Sequence, residues 1–382
     1  MDKINKYSWL FLVAIVVALV LAKWTLLVAI LGLALLITVH EFGHFVSAKL
    51  FGMRVEKFYV GFPPAAWKRV HGETEYGIGL IPLGGFCKIS GMTEYETAAL
   101  PDEAKPRAYY NQKVWKRNLT IFAGPLFNFL IAIVILFLFF TVQGQVKPTL
   151  KIAEVAPTLL VNGKMVATPA AGAGLTAGDT LVGANGRTWR DWSQATTFFR
   201  AHPKQAVQLT YRDTRGLTRT IAITLADSPT SPGRGYLGVM PGQRNVRYAP
   251  WTTAALAITS TGSIIAETFR GFWGLITGKI GFGGKNGAVG PVGIVDLSQS
   301  AVRQSWHPLL LALLSVNLGI INLLPILPFD GGHIFFNTVE ALRRGRRVSR
   351  RLVDRVAVGG TVLLVWLFIY LMFNDIKRIF GG

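Results

Sequence analysis

Long apolar runs separated by polar stretches dominate the chain. A membrane-spanning helix needs about 20 consecutive apolar residues. Three runs have roughly this length: Trp24 to Leu50, Asn118 to Phe140 and Val356 to Phe373. A fourth run, Pro308 to Leu327, is interrupted by Asn317 and Asn322. The pattern therefore predicts a polytopic α-helical membrane protein with about four core transmembrane helices.

The amino-terminal stretch Ser8 to Ala22 is also apolar, but it is short. It is either an extra transmembrane helix or a backward extension of the first span past Lys23. No cleavage site made of small residues follows it, and the apolar sequence continues, so we do not expect a cleaved signal peptide.

Between about Gln143 and Pro250 the pattern changes to short strands and turns. "TLKIAEV", "AVQLTYRD" and "LTRTIAITL" are strand-like, and Trp192 to His202 is predicted to be a helix. The piece "AGLTAGDTLVGANG" resembles the bacterial PDZ pattern, which predicts a PDZ-like α+β domain at about Val146 to Leu225. A PDZ groove binds an extended peptide by strand addition. The alternative is a small β module without a ligand.

Two further segments connect this region to the last apolar runs. Trp251 to Ile280 is amphipathic, and we expect it to lie along the membrane surface or beside the helix bundle. Gly281 to Gly293 is glycine-rich but lacks the ending of a phosphate-binding loop, so it is expected to be a connector or lid. We divide the chain accordingly into segments 1–24, 25–142, 143–250, 251–306 and 307–382.

The charge of the chain sets the predicted topology. It carries 40 Lys and Arg against 20 Asp and Glu, a formal net charge of +20. Many cations lie beside apolar runs and no nucleic-acid motif accompanies them, so the positive-inside rule explains the excess better than a nucleic-acid partner does. The basic segments Arg54 to Arg117 and Arg343 to Arg351 are therefore predicted to be cytoplasmic, and segment 143–250 extracytoplasmic. The single cysteine, Cys87, excludes an internal disulfide.

The first span ends in the motif "HEFGH", His40 to His44. Helical residues four apart lie on one face, with Cβ atoms about 5–6 Å apart, so His40 and His44 can share one metal ion. Glu41 is adjacent and can reach a water on that metal, as in the H-E-x-x-H arrangement of zinc hydrolases. Each ionisable group inside a membrane helix costs on the order of 2.5–3.5 kcal/mol, so packing does not explain all three. The alternative is a helix that has already left the membrane.

A hydrolytic zinc site takes a third protein ligand and leaves a fourth position for water. In the predicted topology, "NLLPILPFDGGH" places Asp330 at the cytoplasmic end of a span that runs in the same direction as the first. Asp330 and the two histidines should then lie at similar depth, which makes Asp330 the favoured third ligand. His333 is the competing candidate.

Three asparagines lie in apolar surroundings. Asn128 is about 15 Å into the returning span, at 1.5 Å per residue, and therefore near the depth of the histidines. Asn317 and Asn322 lie on the span that carries Asp330. Such amides either tie helices together or bind the backbone of a substrate, and residue type alone favours the tie.

Together these motifs resemble the site-two protease family of intramembrane zinc metalloproteases, in its bacterial branch. The matching stretches are "HEFGH" (His40–His44), "GETEYGIGLIPLGGFCKISGM" (Gly72–Met92), "AGPLFN" (Ala123–Asn128), the PDZ-like segment, "GPVG" (Gly290–Gly293) and "NLLPILPFDGG" (Asn322–Gly332). The resemblance implies one Zn²⁺ per chain, held by His40, His44 and Asp330, with Glu41 as the general base. The chain departs from the family where Pro328 lies one position late and Phe329 replaces a leucine.

The resemblance also implies how a substrate is handled. A cytoplasmic, membrane-associated β-hairpin at Glu75 to Lys88 would hold the substrate helix extended on its edge strand, which carries Gly84, Gly85 and Phe86. Asn128, Asn317 and Asn322 would hold substrate or support the metal site. The PDZ-like domain would screen substrates on the outer side.

We therefore expect a zinc endopeptidase of a bacterial inner membrane. Its substrates would be membrane-spanning segments of single-pass proteins, either anti-sigma-factor-type regulators or remnant signal peptides, that another protease has already shortened. Two other hypotheses remain open. A membrane-tethered metalloprotease with a cytosolic site would take Glu73 or Glu75 as its third ligand, and a non-catalytic PDZ adaptor would carry a degenerate site.

Overall fold

The computed structural model describes residues 8–161, 164–229, 231–279 and 289–380. The chain divides into two compact units. We call the residues up to Phe139, together with those from Pro250 onward, the helical unit, and Phe140–Ala249 the inserted unit. The predicted glycine-rich connector lies outside the described residues over positions 281–288.

The described helices and strands alternate along the chain as follows. The helices are α1 (Ser8–Leu50), α2 (Glu94–Ala98), α3 (Val114–Gln143), α4 (Pro169–Gly172), α5 (Trp192–Ala201), α6 (Pro250–Ile276), α7 (Pro291–Arg303), α8 (His307–Asn322), α9 (Asp330–Leu342) and α10 (Arg350–Phe380). The strands are β1 (Val55–His71), β2 (Thr74–Ile89), β3 (Gln145–Val155), β4 (Thr158–Val161), β5 (Lys164–Ala167), β6 (Thr180–Ala184), β7 (Arg187–Thr188), β8 (Ala206–Arg212), β9 (Thr218–Thr224), β10 (Ala226–Asp227), β11 (Gly235–Tyr236) and β12 (Val239–Val246).

Three of the described helices are long and apolar enough to cross a bilayer: Lys23–Leu50 within α1, Val114–Gln143 and Arg350–Lys377 within α10. They include the three long apolar runs of the sequence. The backbone at Lys23 is non-helical, with φ −154° and ψ 68°, so it divides α1 into two helical segments. Residues 8–22 are therefore a separate helical segment rather than a continuous extension of the first span.

The fourth predicted span is shorter than the apolar run suggested. Helix α8 has 16 residues and ends at Asn322, whereas the run continues to Leu327. Pro325 and Pro328 cannot donate the backbone hydrogen bonds of a continuing helix, so the chain turns there. A new helix, α9, begins at Asp330. Asp330 is consequently the first residue of α9 and not the end of a long span.

Strands β1 and β2 form a twisted antiparallel unit after α1. Residues 57–60 of β1 pair with residues 75–78 on one side and with residues 85–88 on the other. The last part of β2 is therefore an outer strand of this small sheet. It packs against α1 just before the "HEFGH" motif, where the Thr38 hydroxyl donates to the carbonyl oxygen of Gly84 at 3.4 Å.

A buried ion pair joins α3 to α9. Arg117, which is only 4% exposed, donates from Nη2 to Oε1 of Glu340 at 2.7 Å and from Nη1 to Oδ1 of Asn337 at 3.0 Å. The amide of Asn337 in turn donates to the Tyr109 hydroxyl at 3.0 Å. This network fixes α9, and therefore the position of Asp330 at its start, relative to α3.

The inserted unit is built on an antiparallel sheet with the strand order β12-β3-β6-β8-β9, and β7 pairs with β6. Its core is made by inward-facing side chains of these strands together with α5, including Leu181, Leu209, Trp189 and Phe199. The sheet continues past the predicted PDZ-like segment, which ended at Leu225, because β12 pairs with β3. In the described sheet β12 is an outer strand.

Replacing Arg117 with Met should destabilise the helical unit strongly, because Glu340 would remain buried without its main partner. Removal of one member of a buried pair typically costs about 3–5 kcal/mol in the free energy of unfolding. The matched control is Arg270→Met, since Arg270 forms only an exposed pair with Glu267 and should lose about 0–1 kcal/mol. Denaturant or thermal unfolding in detergent measures both, and equal losses would contradict this role of the Arg117 pair.

Candidate metal centre

The two histidines of "HEFGH" lie on one face of α1, near its carboxyl end. His40 and His44 are buried, with 6% and 7% of their surface exposed. Their Nε2 atoms lie 3.2 Å apart. The helical spacing of four residues therefore brings two imidazole nitrogens together, as the sequence predicts.

The third group at this point is the carboxylate of Asp330. Its Oδ2 atom lies 3.0 Å from Nε2 of His40 and 3.3 Å from Nε2 of His44. A tetrahedral zinc with bonds of about 2.0–2.1 Å has ligand atoms about 3.3–3.4 Å apart, so the three atoms match one face of such a tetrahedron. Oδ2 is buried and makes no well-aligned hydrogen bond within the described residues, which leaves it free to bind a cation. The donor set therefore fits a zinc ion.

Hydrogen bonds behind the imidazoles set which nitrogen faces the site. Nδ1–H of His44 donates to the carbonyl oxygen of Thr120 at 2.9 Å, which leaves Nε2 as the free lone pair. Nδ1 of His40 lies 3.1 Å from the side-chain amide of Asn128, whose Oδ1 is buried and has no partner among the described residues. With this amide turned so that Oδ1 accepts from Nδ1–H, Nε2 of His40 is likewise free for the metal.

Close approach of α1 and α3 depends on two glycines. A Cβ atom on Gly43 would overlap the carbonyl oxygen of Ala123. A Cβ atom on Gly124 would overlap Nε2 of His44 and lie 2.9 Å from Cε1 of His40. Small residues allow membrane helices to approach closely. Here they let α3 lie directly against the two histidines.

Glu41 faces an open cavity of about 470 Å³ that also contains His40, His44 and Asp330. Its Oε2 atom accepts a hydrogen bond from the backbone N–H of Cys87 at 3.0 Å. Since Cys87 lies on the outer strand of β2, this N–H points away from β1 and towards the metal site. The outer strand therefore orients the Glu41 carboxylate at the cavity.

The structure brings some of the other predicted residues to the cavity and not others. Asn322, Phe86 and His333 line it, although His333 is not part of the ligand triangle. Asn317 does not line it, because its Oδ1 accepts from the Thr268 hydroxyl at 2.6 Å and so ties α8 to α6. This contact agrees with the tie between helices that residue type alone favours, and substrate holding at Asn317 remains an expectation from the resemblance.

The two glycines of the predicted edge strand lie behind the cavity rather than in its lining. Gly84 and Gly85 are buried against α1, and a Cβ atom on Gly84 would lie 3.0 Å from the Ile37 side chain. Their small size lets the outer strand lie against the helix. The following residues, 86–89, line the cavity.

Glu73 and Glu75, the third ligands expected for a cytosolic active site, form ion pairs away from His40 and His44. Glu73 accepts from Arg107 at 2.6 Å and from Lys49 at 2.8 Å, and the Arg107 hydrogen bond holds the pKa of Glu73 below its usual range. Glu75 accepts from the Tyr59 hydroxyl at 2.6 Å, which likewise lowers its pKa. Neither belongs to the group formed with His40 and His44.

Sequence reasoning missed two backbone groups of the site. The carbonyl of Thr120 and the N–H of Cys87 hold His44 and Glu41, yet a backbone group leaves no mark in the pattern of side chains. Gly124 was recognised only as part of the "AGPLFN" stretch. Its close contact with the histidines required the packing of α3 on α1 to be known.

The chain is similar in sequence to known zinc metalloproteases. The model of the family "Peptidase family M50" matches residues 28–367. The chain is 35% identical to "Zinc metalloprotease Rip1" of Mycolicibacterium smegmatis, over 85% of this chain and 88% of that protein. It is 31% identical to "Putative zinc metalloprotease mll0638" of Mesorhizobium japonicum, over 92% and 98%. It is 29% identical to "Regulator of sigma-E protease RseP" of Salmonella typhimurium, over 93% and 99%.

The ligand triangle predicts the metal content of variants. The purified chain should hold about one zinc ion. Both His44→Ala and Asp330→Ala should lose most of that zinc, because a tetrahedral site that has lost one protein ligand binds the ion less tightly. His71→Ala is the control, since His71 is an exposed hairpin residue. Elemental analysis after mild chelation measures the content. Full zinc in Asp330→Ala would remove Asp330 from the ligand set.

Packing at Gly124 predicts a second effect on the metal. Gly124→Ala places a methyl group against both imidazoles, so it should displace them and lower zinc content and thermal stability. Gly262→Ala is the matched control, because a Cβ atom there would meet nothing within 4 Å. An unchanged zinc content in Gly124→Ala would mean that α1 and α3 are not packed as described.

Proposed function

The chain belongs to peptidase family M50 and is an intramembrane zinc metalloendopeptidase, and from that premise we propose that it cleaves membrane-spanning segments of single-pass proteins. The observation that carries the proposal is the meeting of His40, His44 and Asp330 beside Glu41, at the end of an apolar helix that is long enough to cross a bilayer. A protease with this site can reach peptide bonds below the lipid headgroups.

In the proposed mechanism, His40, His44 and Asp330 hold the zinc ion. When bound, zinc polarises the scissile carbonyl and lowers the pKa of water from about 15.7 to about 7. Glu41 accepts the proton of the attacking water as the new C–O bond forms, and returns it to the leaving nitrogen as the C–N bond breaks. The Cys87 N–H keeps the Glu41 carboxylate turned towards the cavity during both transfers.

We further propose that the outer strand of β2 holds the substrate. A peptide bond in a helix is shielded by its own hydrogen bonds and must be unwound before water can reach it. Residues 86–89 line the cavity and belong to an outer strand, so an extended substrate can pair with them by strand addition. Asn322, at the end of α8, lines the same cavity and can donate to a substrate carbonyl.

The basic segments support the orientation of the chain in an inner membrane. With Arg54–Arg117 and Arg343–Arg351 on the cytoplasmic side, the inserted unit lies on the extracytoplasmic side. There it acts as a PDZ-like domain that admits substrates already shortened by another protease. The relative named regulator of sigma-E protease RseP supports anti-sigma-factor-type regulators as one substrate class, with remnant signal peptides as the other.

Glu41→Gln should abolish cleavage while leaving zinc and fold intact, because the amide cannot take up the proton. Loss of a general base typically lowers the rate about 10²–10⁴-fold. Glu96→Gln is the matched control, since Glu96 lines the same cavity but bonds to the Met92 N–H. The assay reconstitutes each variant in liposomes with a single-pass reporter protein and identifies the cleaved bonds by mass spectrometry.

Three results would contradict the proposal. Turnover by Glu41→Gln at the wild-type rate would remove Glu41 as the base. Cleavage confined to the soluble parts of the reporter would instead favour a membrane-tethered protease with a cytosolic site. A wild-type chain that binds zinc and captures peptide on its inserted unit, but cleaves no reporter, would favour the non-catalytic PDZ adaptor.

A further inference from the structure

His333 is a histidine of the metal-site cavity that neither holds the zinc nor belongs to the proposed substrate strand. The sequence makes it a competing ligand, but three other residues form the ligand triangle. Its side chain is half-buried and lines the same open cavity as Glu41 and Asp330. The imidazole therefore meets whatever enters that cavity.

The start of α9 places His333 next to a metal ligand. Asp330 is the first residue of α9 and His333 lies three residues later, so the two side chains share one helix face with Cβ atoms about 5–6 Å apart. The first turn of α9 is closely packed, because a Cβ atom on Gly331 would overlap the carbonyl oxygen of Leu323. The buried Arg117 holds the same helix to α3. His333 thus has a fixed place beside the zinc site, as a group that acts on a reacting atom needs.

Both ring nitrogens of His333 are available to other molecules. Neither has a hydrogen-bond partner among the described residues. The imidazoles of His40 and His44, by contrast, each have a partner at Nδ1. His333 also lines a second cavity, of about 380 Å³, which shares Met92 with the first. One ring nitrogen can therefore donate into the first cavity while the other accepts from solvent in the second.

The charge state of His333 suits a hydrogen-bond donor. Burial lowers the pKa of His333 below its ordinary value, whereas the Asp330 carboxylate opposes this shift and His44 adds to it. A cation held by the ligand triangle would lower this pKa further. The imidazole is therefore neutral at pH 7 and carries one N–H.

We propose that the imidazole N–H of His333 donates to the oxygen of the scissile carbonyl as that oxygen becomes negatively charged. When water adds to the carbonyl carbon, the π electrons of the C=O bond move onto the oxygen and the carbon becomes tetrahedral. A fixed donor aimed at this oxygen stabilises the transition state more than the substrate. The carbonyl forms again as the C–N bond breaks, so His333 keeps its proton throughout. The inference rests on the proposed proteolytic function and adds a catalytic residue to it.

The kinetic test uses the full chain in liposomes with the single-pass reporter. His333→Phe keeps a ring but has no N–H, so kcat should fall about 10²–10³-fold while KM and zinc content stay close to those of the wild type. His333→Ala is a second variant without a donor and should show the same loss. His333→Gln restores a side-chain N–H and should recover part of the rate. Met92→Leu is the matched control, because Met92 lines the same two cavities but offers no donor, and it should keep kcat.

A binding measurement reports on the same donor without turnover. The probe is a short apolar peptide in which a phosphinate group replaces one peptide bond, because its oxygens imitate the tetrahedral species. This probe and the unmodified peptide are compared on the zinc-loaded chain in detergent, in the Glu41→Gln background so that the unmodified peptide is not cut. His333→Phe should weaken binding of the phosphinate at least about tenfold and leave the affinity for the unmodified peptide unchanged.

Three results would overturn the inference. The first is a kcat of His333→Phe equal to that of Met92→Leu. The second is a loss of zinc in both His333→Phe and His333→Gln, which would make His333 a support of the metal site. The third is a higher KM with unchanged kcat, which would make it a substrate contact. If the wild type cleaves no reporter, the proposed proteolysis fails separately, and the phosphinate comparison still decides whether His333 is a donor.

Discussion

Three ligand atoms meet in a buried part of the helical unit: one nitrogen each of His40 and His44, and one oxygen of Asp330. The free-energy cost of burying these polar atoms constrains the rest of the unit. Groups of this kind are expensive in apolar surroundings unless each has a partner. A divalent cation satisfies all three atoms at once. The same arrangement without a cation would leave the Asp330 oxygen without an aligned donor. Metal binding and helix packing are therefore expected to stabilise each other.

Besides α1, the helices α3, α8 and α9 position this metal site through polar or close contacts. Helix α3 reaches the histidines because Gly124 has no side chain, and it supplies the Thr120 carbonyl that orients His44. The Arg117–Glu340 pair holds α9 to the same α3. Because α8 ends at Asn322, α9 can begin with Asp330 at the cavity. The outer strand of β2 then closes one side and fixes Glu41 through the Cys87 N–H. The position of the three ligand side chains and the orientation of Glu41 thus depend on one set of contacts.

The sequence allowed the metal site to be predicted because its signals are strong and local. Four-residue helical spacing places His40 beside His44, and the alternating direction of spans brings Asp330 to the same depth. The family, the enzyme class and the zinc cofactor predicted from the motifs are confirmed by the comparisons. At Asn317, residue type alone favours a tie between helices over a substrate contact, and the hydrogen bond from Thr268 agrees with that tie.

Other features left weaker signals. The apolar run predicts a fourth span that extends to Leu327, whereas α8 ends at Asn322, because an apolar run does not reveal where Pro325 and Pro328 force the chain to turn. A segment rich in Ser, Pro and Gly separates β10 from β11 and β12, and these strands are short or irregular, so alternation does not mark them.

The central claim is that three side chains from two separate helices hold one zinc ion, and X-ray absorption at the zinc edge of the purified chain tests it most directly. The account predicts a spectrum with two imidazole groups and only nitrogen or oxygen ligands at about 2.0–2.1 Å. A sulfur ligand at about 2.3 Å, which would have to come from Cys87 or a methionine, or the signature of a single imidazole, would contradict it.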